Sequence, residues 1–196
     1  MQIRLMIEDD AGSITEVLNH SIGHSVAHFG TVPTSADEVL GDWHATGELY
    51  PWIVATDDAG AFMGFAKGSA WKTRQAYRWT VESGIYLTKG AQGMGAGKAL
   101  YTKLFEILTL QGYRTVVSGV SVPNPASERL HESFGMKTIG DISPAGFKLG
   151  KWVDVRLYQK NLSELDATSA PGPIRAVSSV WDELGVHSAD TQEQSE

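Results

Sequence analysis

The spacing of hydrophobic positions alternates along the chain between every second residue and every third or fourth, which divides it into strands and helices. Residues 3–6 are a short apolar run that predicts a strand. After Asp9 and Asp10, either of which can cap a helix, Ile14, Val17 and Leu18 fall on one helical face. The helical period fades through residues 21–28, where that helix is expected to fray. Ser35-Ala36-Asp37-Glu38 has the form of a capping box ahead of Val39, Leu40 and Trp43, so a second short helix follows. Residues 52–55 and 62–70 are apolar and aromatic runs separated by Asp57-Asp58-Ala59-Gly60, whose residues suit a tight turn, and they should pair as a hairpin.

Residues 79–87 have the aromatic and β-branched character of a third strand and run directly into a glycine-rich stretch, 89–97. From Lys98 onward Leu100, Leu104, Ile107 and Leu108 recur at helical spacing up to Gly112, which is placed as a C-terminal cap. Residues 115–122 predict a strand, 126–134 a short helix ended by Gly135, and 137–160 the last strands, so helices and strands mix around one sheet. Beyond Leu162 the chain turns rich in Ser, Ala, Pro, Gly, Asp and Glu, which bury too little surface to offset the entropy of ordering. The expected organisation is a domain over residues 1–162 and an extension over 163–196, flexible or with a short docking helix at 174–184.

Composition narrows the chemistry. With 196 residues, 42% of them hydrophobic, the chain suits one domain with a sizeable core. There is no cysteine, which removes disulfides and a thiol nucleophile and takes the softest ligand from any metal site. A formal charge of −7 argues against a nucleic-acid partner, which needs clustered Lys and Arg. No run approaches the ~20 apolar residues of a membrane span, and the N-terminus has no apolar signal core, so a cytoplasmic protein is expected.

Gln92-Gly93-Met94-Gly95-Ala96-Gly97 lies between a predicted strand and a predicted helix, where glycines let successive backbone N–H groups converge on an anion at the helix N-terminus. A dinucleotide-binding fingerprint would need Gly where Lys98 stands and an acidic residue about 20 positions on, where Tyr113 to Thr115 occur. A P-loop would need Gly at Gln92 and Ser or Thr at Ala99. His20, His24 and His28 recur at every fourth position, as paired metal ligands on a helix can, but no catalytic carboxylate accompanies them, and no metal is expected.

Gln92, Gly95 and Gly97 match the Q-x-x-G-x-G signature of GNAT acetyltransferases. Tyr50-Pro51-Trp52, Trp71-Lys72-Thr73-Arg74, residues 76–83, Pro123-Asn124, Arg129-Leu130-His131-Glu132, Gly146-Phe147-Lys148 and Trp152-Val153-Asp154-Val155 resemble the phosphinothricin and methionine sulfoximine acetyltransferases of that superfamily. The likeness runs from about residue 2 to 162. It implies a GNAT fold of the α/β class: a mixed, largely antiparallel central sheet flanked by helices and splayed where acetyl-CoA enters. It further implies a homodimer, with residues 146–152 near the shared site.

By that resemblance Ile85, Tyr86 and Leu87 hold the pantetheine arm and Asn124 contacts the cofactor. The loop of Gln92, Gly93, Met94, Gly95, Ala96, Gly97 and Lys98 binds the pyrophosphate. Amide formation from an ammonium needs a proton acceptor and a donor for the departing thiolate. Glu82 is expected as the base, against the alternative of an ion pair with Arg74 or Arg78. His131 stands where many relatives carry a tyrosine that protonates the thiolate; whether it is acid, base or orienter stays open, as does a role capping helix carbonyls near Gly135. Transfer would be direct, in a ternary complex, with a backbone N–H near Leu87 stabilising the oxyanion. Lys72, Arg74 and Tyr77, with Phe29 as a wall, would receive an amino-acid carboxylate or phosphinate-like oxyanion. The α-amino group of phosphinothricin, methionine sulfoximine or a similar small amino acid is then the expected acceptor. Residues 22–25 and 30–33 lack acidic groups usual in relatives. The alternatives are another amine, such as a polyamine or peptide N-terminus, and a non-catalytic acyl-CoA-binding sensor.

Overall fold

In the computed structural model, residues 1–164 and 170–185 are described; the parts of the 163–196 extension at 165–169 and 186–196 lie outside them. The strands are β1 (Gln2–Leu5), β2 (Trp52–Thr56), β3 (Phe62–Ala70), β4 (Thr80–Leu87), β5 (Thr115–Val122), β6 (Lys137–Lys148) and β7 (Lys151–Asn161). The helices are α1 (Ala11–His24), α2 (Ala36–Thr46), α3 (Ala96–Gln111), α4 (Pro125–Ser133) and α5 (Val177–Glu183). The strands form one sheet in the order β1-β2-β3-β4-β5-β7-β6. Every neighbouring pair is antiparallel except β4 and β5, which run parallel.

Alternation along the strands sends successive side chains to two separate cores. On one face Ile53, Ala66, Val81, Val116 and Val120 pack against Leu100, Leu104, Ile107 and Leu108 of α3. On the other, Trp52, Val54 and Phe65 pack against Ile14 and Val17 of α1 and Val39 of α2. The sheet is therefore the middle layer of three, and a residue's parity on a strand decides which side of the molecule it serves.

Several local signals act as read. The Ser35 Oγ accepts from the Glu38 N–H at 3.2 Å, while the Glu38 carboxylate accepts from the Ser35 N–H at 2.8 Å. Asp57 Oδ1 accepts from the N–H groups of Ala59 and Ala61, closing the β2–β3 turn. Gly112 ends α3 with φ +97°, a conformation favouring glycine.

Two readings change. Asp10 does not cap α1 through its side chain; it takes a two-pronged ion pair from Arg4, at 2.6 and 2.7 Å, and accepts from the Ile7 N–H. The expected fraying from Ser21 begins only after His24, because Ile22 is buried and the Ser21 carbonyl accepts from the ammonium of Lys148, 3.3 Å away. Past residue 170 the chain returns to the body: Trp79 Nε1 donates to the Gly172 carbonyl at 2.8 Å, and Val180 and Trp181 of α5 join the α3 core. Among the described residues no helix is long and apolar enough to cross a membrane.

Candidate active site

The parallel ladder between β4 and β5 pairs Thr80 with Thr115, Val81 with Val116 and Glu82 with Val117, and stops there. Beyond it β4 stays bonded to β3 and β5 to β7, so the two strands part inside the sheet. The same register would set Gly84 opposite Gly119, two residues without side chains to bridge the opening. At the fork the hydroxyls of Ser83 and Ser118 meet at 2.6 Å, both buried. Among the described residues one edge of β4 from Gly84 to Leu87 has no strand partner, and backbone N–H and C=O groups in such an edge are free to bond an extended ligand.

The same strand delivers the chain to the glycine loop. Gly93 and Gly95 have φ of +78° and +87°, values that favour glycine, and among the described residues nothing beyond their chain neighbours lies within 4 Å of where their Cβ atoms would be. Gly95 immediately precedes α3, whose first N–H groups have no intrahelical partner and carry the positive end of the helix dipole. Gln92, Met94 and Lys98 are exposed around this turn, while Ala96 and Gly97 are buried. A Cβ on Gly97 would make ordinary contacts with Leu130 at 3.4 Å and Leu87 at 3.5 Å, so the start of α3 lies beside β4 and α4. The loop fits an anion, and the free edge of β4 fits the arm that such an anion would carry. Asn124 stands across the opening at the N-cap of α4, its side-chain oxygen accepting from the Ser127 N–H at 3.2 Å.

Parity separates the chemistry. Glu82 shares its face of β4 with Tyr86, which packs with the α1–α2 core, whereas Val81, Ile85 and Leu87 pack on the α3 side. Glu82 is half-buried, and loss of solvent raises its carboxyl pKa, opposed by the positive charges of Lys72 and then Lys67. Among the described residues it makes no ion pair, so the alternative pairing with Arg74 or Arg78 is not formed. Tyr86 stacks on Phe65 at 5.5 Å between ring centres, and His28 lies tilted over it at 5.6 Å.

On the opposite face His131 is 2% exposed. Its Nδ1–H donates to the Ser127 carbonyl at 2.7 Å, which leaves Nε2 as the acceptor for the Tyr101 hydroxyl at 3.1 Å. Burial lowers the imidazole pKa, and the Ser127 bond raises it less. The Tyr101 hydroxyl is fully buried; desolvation pushes its pKa up to about 12, against hydrogen bonds from Ser83 and Ser118 at the fork. Tyr101 thus connects His131 to the opening.

The structure joins Glu82 with Lys72 electrostatically, and the glycine loop with the end of β4. It does not bring Glu82 and His131 together on one face. Arg74 and Tyr77 are exposed on the segment leading into β4, and Lys72 rests its ammonium 4.8 Å from the centre of the Trp71 ring. Phe29, half-exposed in the α1–α2 loop, covers Gly146 so closely that a Cβ there would fall 2.5 Å from its ring. Sequence reading missed Tyr101, Ser83, Ser118 and Lys67, and weighed His28 only as a metal ligand. Only Tyr101 left a signal: a tyrosine next to Leu100 on a core-facing helix needs a buried partner for its hydroxyl.

Residues 22–136 match the acetyltransferase (GNAT) family. The chain is 35% identical to a phosphinothricin N-acetyltransferase of Streptomyces viridochromogenes, over 92% of this chain and 96% of that one. It is 31% identical to an L-methionine sulfoximine/L-methionine sulfone acetyltransferase of Salmonella typhimurium, over 87% and 99% of the two chains. The fold superposes with a TM-score of 0.83 on the crystal structure of a GNAT superfamily phosphinothricin acetyltransferase from Sinorhizobium meliloti in complex with AcCoA, at 36% identity, covering 88% of this chain and 94% of that one. An open fork in the sheet, a glycine turn at its rim and these likenesses over most of the chain agree: it belongs to the GNAT family of acetyltransferases.

Proposed function

We propose that the protein transfers the acetyl group of acetyl-CoA to the α-amino group of a small amino acid of the phosphinothricin or methionine sulfoximine type. The observation that carries this reading is the parting of β4 from β5 directly after Glu82, with the glycine turn at the far end of the same strand. Bound acetyl-CoA supplies an activated thioester. Gln92, Gly93, Met94, Gly95, Ala96, Gly97 and Lys98 would hold its diphosphate, and the free edge at Ile85, Tyr86 and Leu87, with Asn124, its arm.

Glu82 takes the proton that the ammonium must lose before attack, and a second from the nitrogen as the amide forms, passing both to solvent. Its raised pKa brings it nearer to the working pH than an ordinary carboxylate. The Tyr101 hydroxyl turns from His131 toward the departing sulfur. A thiol titrates near 8.5, so full transfer from a phenol held up at about 12 is uphill, and Tyr101 acts by hydrogen-bonding the developing thiolate. His131 is neutral and orients Tyr101. Lys72, Arg74 and Tyr77, with Phe29 as a wall, receive the acid groups of the acceptor, a guanidinium being suited to bidentate binding.

A homodimer is supported by the β6–β7 hairpin at the sheet edge, where Ile142, Phe147, Leu149 and Trp152 are exposed together. That face would place residues 146–152 beside the shared site. We assign the reaction to the cytoplasm, where a thioester donor is at hand.

Thiol release measured across free amino acids, including phosphinothricin and methionine sulfoximine, tests the reading. Those two should exceed a polyamine and a peptide N-terminus in kcat/KM by about tenfold or more. A preference for polyamine or peptide would overturn the acceptor, and acetyl-CoA binding without release on any amine would make the protein a sensor.

A further inference from the structure

Lys148 closes β6 and is 5% exposed, yet among the described residues no carboxylate pairs with it. Its ammonium donates to two main-chain oxygens, those of Ser21 and His28. Burial lowers its pKa. An ammonium out of water costs stability unless its charge is compensated, and two carbonyls compensate it in part. A methionine of similar length would fill the slot without that cost. What the cation achieves is a hold on the segment it reaches.

That segment, residues 25–35, joins α1 to α2 without regular structure. It is tied in three places. Asn19 exchanges two hydrogen bonds with Thr34. Ser121, on the parted half of β5, donates its hydroxyl to the Val26 carbonyl at 2.7 Å. Lys148 takes the His28 carbonyl. At and directly after the Lys148 tie the loop presents His28 to Tyr86 and Phe29 to Gly146. Lys67 acts on the titration of both His28 and Glu82, which sets this short stretch of loop on the Glu82 side of the sheet. Loops that bind ligands need a rigid hold from the scaffold, and here the hold comes from two elements on the far side of the fork.

We propose that Lys148 is a positioning residue for the acceptor: with Ser121 it fixes the loop that brings His28 and Phe29 over the Glu82 side of the opening, and thereby sets the acceptor's affinity. This rests on the acetyl-transfer reading of the site. The donor site lies in the glycine turn and the main-chain edge of β4, which this loop meets through the ring contact of His28 with Tyr86, so loss of the clamp acts chiefly on the acceptor.

The test is steady-state kinetics of K148M, K148R and S121A with the best amino-acid acceptor of the wild type. K148M is expected to raise the acceptor KM about tenfold while kcat and the acetyl-CoA KM stay within about twofold. S121A should give the same split more weakly, and K148R should recover most of the acceptor KM. Melting temperature is followed in parallel, and K148M is expected to stay within a few degrees of the wild type, relief of the ammonium's desolvation offsetting the donor lost by the His28 carbonyl. An unchanged acceptor KM in K148M and S121A overturns the proposal, as does a uniform fall in all parameters with a lower melting temperature. Should K148M not fold, S121A decides on the same split. A wild type that acetylates no amino acid would refute the function reading instead, so the two failures are distinct.

Discussion

Replacing Tyr101 by phenylalanine removes one oxygen and keeps the ring, whose contacts with Phe105 at 4.9 Å and Phe134 at 5.7 Å survive. The change therefore isolates the hydroxyl. In the resting enzyme His131 Nε2 loses its donor and the Ser83–Ser118 pair loses its acceptor, all in buried surroundings. Leaving such groups unsatisfied costs about 1–3 kcal/mol, which for a chain of this size lowers the melting temperature by roughly 5 °C. During transfer the missing bond is one to a developing thiolate, worth about 1.5–3 kcal/mol. Turnover should accordingly fall by about 10- to 100-fold. Acetyl-CoA affinity, proposed to rest on the glycine turn, should hold within about twofold. The assay is thiol release at saturating substrates beside calorimetric binding of acetyl-CoA. A variant that melts lower but turns over at the wild-type rate would refute a role for Tyr101 at the sulfur and leave it a core residue.

Glu82→Gln should cut turnover at least about tenfold with acetyl-CoA affinity nearly intact. In the wild type, kcat/KM should fall as pH drops through an apparent pKa above the ordinary carboxylate value, and the glutamine variant should lose that limb. The same shift carries a stability consequence: a carboxyl whose pKa is raised on folding binds its proton more tightly in the folded state, so its ionisation above that pKa costs stability. Glu82→Gln should therefore melt higher than the wild type at pH 7 in a thermal scan, and a lower melting point would count against the desolvated carboxylate. Gly95→Ala meets no steric obstacle but forces a left-handed residue at φ +87°, costing about 1–2 kcal/mol, and should raise the acetyl-CoA KM in initial-rate measurements. Trp152→Glu places a charge in the exposed apolar hairpin face and should shift the protein from dimer to monomer by light scattering; a wild type already monomeric would refute the dimer.

What was legible in the sequence was local. The capping box at Ser35 and Glu38, the Asp57 turn and the Gly112 cap each declare themselves within a few residues, and so does the Gln92-to-Gly97 turn, where Gly93 and Gly95 take left-handed angles that favour glycine. The polar chain behind the fork was not legible. Ser83 and Ser118 sit 35 residues apart and Tyr101 and His131 30 apart, so each bond exists only once the parallel pairing of β4 with β5 and the seat of α3 are set. The end of α1 was misjudged for a related reason: its last turn is held by Lys148, 127 residues away from Ser21, which no helical periodicity can register. Likewise the alternating pattern of β4 announces a strand, but only the two cores tell which side Glu82 faces.

The parity of β4 also bears on how such an enzyme can change. Glu82 and the loop with His28 and Phe29 lie toward one surface, while Tyr101, His131 and the origin of α3 lie toward the other, with the sheet as the partition. On the proposed reading, substitutions confined to residues 25–35 and 71–78 would redirect which amine is accepted, and of these segments His28, through its ring contact with Tyr86, borders the half that grips the thioester. New acceptors would then be open to this scaffold by small steps on one surface, each leaving a working donor half in place.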